Sequence, residues 1–102
     1  MSTELERLHR EAMRWRVLKI LDAGRPDALS ETIVLGALSG AKFQVTLFAL
    51  RRELDYLEDR KLVQITGRGG SEWFAELTHY GVDLVEYAIE CYPGIARPPQ
   101  QG

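Results

Sequence analysis

The sequence predicts an α+β fold, mainly α, in the order helix, helix, helix, β-hairpin, helix. Three observations predict it. Apolar residues recur every three to four positions along three successive segments between Glu4 and Arg60. The pattern then changes to two short β-prone runs, 62–66 and 72–77, separated by Gly67-Arg-Gly-Gly-Ser71. A helical spacing returns after Thr78. With 102 residues, 45% of them apolar and 27% charged, the chain suits one modest core, and its composition is that of a folded domain.

The first helix is expected from about Glu4 to Ala23. Leu5, Leu8, Ala12, Trp15, Leu18 and Leu21 carry its spacing, and Val17 and Ile20 widen the stripe toward the C-terminal half. Gly24 is placed to cap it and Pro26 to end it. Its N-terminal half is thinner in apolar residues and is expected to project beyond the core, toward a second copy. Ser30 is the N-cap of the second helix, with Glu31 suited to the positive helix end and Ile33, Val34, Ala37 and Leu38 as the buried stripe. Thr46 is the N-cap of the third, where Leu47, Leu50, Leu54 and Leu57 share one face. Arg51, Arg52, Asp55, Glu58 and Asp59 occupy the other side.

The three glycines at 67–70 suit the tip of a hairpin, since they accept positive φ at little cost. Alternation along the second strand sends Trp73, Ala75 and Leu77 to one face and Phe74 to the other, so one of Trp73 and Phe74 is expected to be partly exposed. Thr78 caps a last helix expected over His79–Tyr92, ended by Pro93. This gives one domain over residues 1–93 and a flexible, Pro-rich tail over 94–102. Trp15, Trp73, Phe74 and Tyr87 each lie in a segment with a buried stripe, so core packing or a dimer seam is their expected role.

Several function classes find no support. No apolar run is long enough to span a membrane, and the charged N-terminus lacks the apolar segment of a signal peptide. Cys91 is the single cysteine, so no intrachain disulfide forms, which points to a cytoplasmic location. His9, His79 and Cys91 are far apart and have no paired metal-ligand spacing. There is no Ser-His-Asp signature, and Gly67-Arg-Gly-Gly-Ser71 lacks the Lys-Ser/Thr of a phosphate-binding loop. Asp55 and Asp59, at i and i+4, read as a solvated helix face. The expectation is a non-enzyme without cofactor or metal.

Charge is more informative in its distribution than in its total of −2. Residues 7–52 hold nine Lys/Arg against four Asp/Glu, whereas 53–102 hold four against nine. A chain polarised in this way can present a basic face despite its acidic balance. Solvated helices that differ in charge would give the same distribution.

The residues at the joints of this order resemble the winged-helix superfamily of bacterial regulators. Leu50-Arg-Arg-Glu-Leu54 followed by Leu57-Glu-Asp-Arg-Lys-Leu-Val63 resembles a recognition helix passing into a first wing strand. Leu77-Thr-His-Tyr-Gly81 resembles the exit from the second wing strand, and Gly67–Ser71 takes the place of the wing tip. More narrowly, from about Val17 to Pro98, the chain is similar to small proteins encoded by Mu-like bacteriophages and prophages. That similarity includes Val45-Thr46 and the closing Pro93-Gly-Ile-Ala-Arg-Pro98. Two departures from the family pattern stand out: Lys61 stands where glycine is frequent, and Leu47 and Phe48 stand where polar or basic residues are frequent.

The resemblance implies a winged helix-turn-helix fold and a DNA-binding transcriptional regulator that acts as a homodimer. In that reading Gln44, Thr46, Phe48, Ala49 and Arg52 face bases, with Arg52 suited to a guanine edge and Gln44 to an adenine edge. Lys42, Arg51 and Arg68 suit phosphate oxygens, aided by the helix N-termini at Ser30 and Thr46. Two alternatives stand beside it. Arg51 and Arg52 can pair with Asp55 and Glu58 at helical spacing, and an exposed Phe48 suits a phage or host protein partner.

Overall fold

The computed structural model describes residues 3–100. Its elements run α1 (Glu4–Ala23), β1 (Leu29–Ser30), α2 (Glu31–Gly40), α3 (Leu47–Asp59), β2 (Val63–Thr66), β3 (Phe74–Leu77) and α4 (His79–Val85). The chain is thus an α+β fold, mainly α, with four helices and one three-stranded antiparallel sheet among the described residues.

Local chemistry sets where the helices begin. The hydroxyls of Ser30, Thr46 and Thr78 accept hydrogen bonds from the N–H groups of Ile33, Ala49 and Gly81, so all three expected N-caps are in place. Thr3 and Glu6 form a reciprocal capping box at the start of α1, and Gly24 follows its last turn.

The core is leucine-rich. Leu18 and Leu21 of α1, Leu38 of α2 and Leu50, Leu54 and Leu57 of α3 are fully buried, together with Leu62 and Leu84. Val63 and Ile65 point inward from β2 while Gln64 and Thr66 face solvent, the period-two alternation that lays one face of the hairpin on the helices. β3 is the central strand. It pairs with β2 through Ile65↔Ala75 and Val63↔Leu77, and with β1 through Leu29↔Ala75.

Four expectations are corrected. First, β1 was not foreseen. It is two residues long, too short for any periodicity, and it arises where the approach to α2 meets the free edge of β3. Second, Ile33 (58% exposed) and Ala37 lie outside the core, because α2 buries only the narrow row Glu31, Val34 and Leu38. Leu47 is also partly exposed, since the first turn of α3 reaches past the core.

Third, α4 stops at Val85, not Tyr92. Arg97 returns from the C-terminal segment and donates to the carbonyls of Leu84 and Ile89, both at 2.9 Å, while Tyr87 turns the backbone with φ +63°. Fourth, residues 94–98, expected to be loose, are packed and hydrogen-bonded. Ile95 is buried, the Ala96 N–H donates to the Glu11 carbonyl, Arg14 donates to the Gly94 carbonyl, and the Tyr87 hydroxyl donates to the Pro98 carbonyl. Gln101 and Gly102 lie outside the described residues.

Lys61 adopts φ +67°, the left-handed region that glycine enters freely and a side chain enters at a cost of about 1 kcal/mol. The junction that follows is tight. The Thr78 N–H donates to the Leu62 carbonyl at 3.0 Å, and a Cβ at Gly81 would sit 2.2 Å from that same oxygen. Gly81→Ala is therefore expected to cost about 2–3 kcal/mol by forcing the strand–helix joint apart. Gly36→Ala, where a Cβ meets open space in the interior of α2, is expected to add about 0.5–1 kcal/mol. Urea unfolding of the two variants checks both signs, and equal effects would contradict the packing described.

Candidate functional site

The N-terminal ends of α2 and α3 and the hairpin meet on one side of the molecule, around Glu31. This carboxylate is the first residue of α2 and is only 2% exposed. Arg51 of α3 grips it with two bonds, Nε to Oε1 at 2.6 Å and Nη2 to Oε2 at 2.7 Å. The Trp73 N–H donates to Oε2 at 2.9 Å. The bonds from Arg51 hold the Glu31 carboxyl below its usual range, against burial, which pushes it up; the Trp73 N–H adds to the lowering. The same pair raises the Arg51 guanidinium.

The hairpin is fastened to α3 by a second arginine. Arg68 donates to Asp55 at 2.6 Å and to Glu58 at 2.7 Å, and these hydrogen bonds raise its pKa, with Glu58 the larger influence. Glu58 also accepts the Ile65 N–H at 2.9 Å. Both guanidiniums lie over the Trp73 ring, Arg51 at 4.7 Å and Arg68 at 4.4 Å from its centroid. Trp73 is thus half-buried beneath two cations, while Phe74 on the other face is exposed, as the strand alternation predicts.

The seven residues expected to meet DNA therefore divide into two groups. Arg51 and Arg68 are internal fasteners, each neutralised by carboxylates. Arg51 pairs with Glu31 on another helix, and not with Asp55 or Glu58 at helical spacing; those two belong to Arg68. Lys42, Gln44, Thr46, Phe48 and Arg52 remain at the surface. Lys42 sits in the α2–α3 turn with φ +72°. The Thr46 hydroxyl is occupied as the N-cap of α3. Arg52 has no ion pair among the described residues. Phe48 is 76% exposed and heads the outer stripe Phe48, Arg52, Asp55 and Asp59.

Beside this end of α3, an open groove of about 550 Å³ runs toward α1. Leu5, His9, Met13, Val45, Ala49 and Arg52 are among its walls. No protein-family model, curated protein or solved structure matches this chain. The site offers an aromatic ring, an amide, a hydroxyl and two cations around a helix N-terminus. Among the described residues no group of three or more potential metal ligands assembles, and no helix is long and apolar enough to cross a membrane.

Glu31 is the residue that the sequence reading missed as a partner. Its place beside the N-cap suggested only a favourable helix-end charge, and Arg51 lies 20 positions away. The signal available was the proximity of a Trp-bearing strand to a helix start, which becomes visible only once β1 pairs with β3.

Two outcomes follow. Arg51→Ala strands a buried carboxylate and should lower the melting temperature, whereas Arg52→Ala should leave stability within about 0.5 kcal/mol. Differential scanning calorimetry distinguishes them, and equal melting temperatures would contradict the fastening role. Glu31, with its folded pKa depressed, contributes stability that is complete above its unfolded value of about 4.3 and is lost as pH falls through the folded value. Glu31→Gln should therefore flatten the decline in stability between about pH 5 and about pH 3. Urea melts across that range test it, and an unchanged slope would count against the pair.

Proposed function

We propose that this chain is a winged-helix protein that binds duplex DNA with the N-terminal half of α3, as a phage- or prophage-type regulator and not as an enzyme. The order helix, strand, helix, helix, hairpin, helix, with the sheet in the order β1-β3-β2, supports the fold assignment. The observation that carries the DNA reading is the surface at the start of α3. Gln44, Thr46, Phe48 and Arg52 are exposed there, and Arg52 is an unneutralised cation one turn beyond Phe48. A helix end with an amide, an aromatic ring and a free guanidinium can reach base edges in a major groove. Arg52 would take a guanine edge, Gln44 an adenine edge and Phe48 a thymine methyl. Lys42, just before the helix, would meet phosphate.

The internal pairing of Arg51 and Arg68 gives this reading a quantitative form. Binding should release few counterions, because of the three cations expected to meet phosphate, Lys42, Arg51 and Arg68, only Lys42 is free of a carboxylate partner. The salt dependence per chain should have a slope of about −1 in log–log form, where three phosphate contacts would give about −2.7. Fluorescence anisotropy with a labelled duplex measures it. Arg52→Ala should weaken binding by about tenfold, the loss of one charged base contact. No measurable binding to duplex at low salt would overturn the proposal.

Phe48 supports a second reading. A ring three-quarters exposed beside a partly exposed Leu47 is an anchor for a phage or host protein. Under that reading Phe48→Ala abolishes capture of the partner while duplex binding is absent from the start.

A further inference from the structure

The groove between α1 and α3 has an apolar floor and one cation left over. Met13, 2% exposed, and the half-buried Val45 and Ala49 form the floor. Leu5 and His9 continue the face of α1 that carries Met13, at spacings of four, so this wall runs about 12 Å along the helix. The His9 ring packs on Phe43, with ring centroids 5.4 Å apart, and ties the wall to the turn between α2 and α3. The groove is therefore shaped by packing within the domain, yet it stands open, with the exposed Leu5 at its rim. Its volume of about 550 Å³ is that of a small-molecule site.

The charged groups along the groove select the ligand. Glu53 is buried and bound to Arg14 at 2.6 Å, so these two charges cancel. The Glu6 carboxyl accepts the Thr3 N–H at 2.8 Å, which together with the nearby Arg10 charge holds it below its usual range. Glu6 and Arg10 thus balance each other across the groove. Arg52 is the charge that remains. It is exposed and has no ion pair among the described residues. One unmatched cation beside an apolar floor fits an anion of single charge joined to an apolar body. A cationic ligand would be repelled by Arg52, and a dianion would hold its second charge unmatched over apolar side chains.

We propose that this groove binds a small aliphatic monocarboxylate, its head paired with Arg52 and its chain laid over Met13, Val45 and Ala49 toward Leu5. The site stands on α1 and α3 alone. One consequence rests on the DNA reading: Arg52 serves both ligands, so the carboxylate and duplex DNA exclude each other.

Nuclear magnetic resonance titration of the isotope-labelled full chain with decanoate tests the site, with decanol as the same chain without the charge. The expected result is saturable amide shifts confined to the groove around His9, Met13, Val45 and Ala49. Decanoate should bind about tenfold more tightly than decanol, the worth of one charged hydrogen-bonded pair. Arg52→Ala should weaken decanoate by about tenfold and leave decanol unchanged. Shifts spread over the other exposed apolar side chains, such as Ile33, Phe74 and Tyr80, or shifts that never saturate, would mark detergent-like adsorption and overturn the site. Equal affinities for decanoate and decanol would overturn the role of Arg52. In the duplex anisotropy assay, saturating decanoate should lower duplex affinity where acetate at the same concentration does not. Duplex binding untouched by bound decanoate overturns the exclusion and leaves the groove standing. Absence of duplex binding overturns the DNA reading, and the titration still decides the groove.

Discussion

Glu31 is a carboxylate almost withdrawn from water at the first turn of a helix, and the arrangement around it follows from the need to keep it charged and satisfied. Burying an ionised carboxylate is costly unless a cation and further donors complete its hydrogen bonds. Here the cation comes from α3 and the remaining donor from the residue that precedes β3. Three pieces of chain that are distant in sequence are fixed at one point. The two-residue strand β1, immediately before Glu31, then has its register to β3 determined, and the hairpin cannot drift along the helices without breaking the pair.

This constraint also decides which charges face outward. In a chain with a net charge of −2, the basic character of residues 7–52 was the main electrostatic argument for an anionic partner. Part of it is consumed inside the domain. Within that stretch Arg14 is bound to the buried Glu53 at 2.6 Å and lies over Tyr56, and Arg51 is bound to Glu31; beyond it, the hairpin's Arg68 bridges Asp55 and Glu58. Arginine suits these positions because its planar fork satisfies a carboxylate with two bonds while its flat face rests on an aromatic ring. The surface at the start of α3 is left with Lys42 and Arg52, a sparse but defined pair of cations, beside an exposed ring.

Features governed by local chemistry were legible in the sequence. Ser30, Thr46 and Thr78 cap helices because a short hydroxyl side chain is the natural acceptor for an orphan N–H three residues on. Leu50, Leu54 and Leu57 point inward because their spacing allows nothing else once the helix forms. The hairpin followed from alternation about a glycine-rich tip. Features that depend on distant partners were hidden. The end of α4 is set by Arg97 folding back onto the Leu84 carbonyl, whereas the apolar spacing through Ile89 and Tyr92 read as continued helix. Within the candidate site, Phe48 and Arg52 stood where helical periodicity put them. Arg51 and Arg68 did not, because no periodicity encodes a partner on another element.

The position of Trp73 under two guanidiniums has a practical consequence. The chain contains two tryptophans, and their surroundings are unlike. One indole is sandwiched into the joint between the hairpin and the helices, and the other lies on α1, packed at the edge of the core against the Tyr87 ring. Intrinsic emission is therefore a composite of two spectroscopically separable reporters. Replacing either indole by phenylalanine leaves a single-colour gauge, one for the seating of the hairpin and one for whatever approaches the first helix.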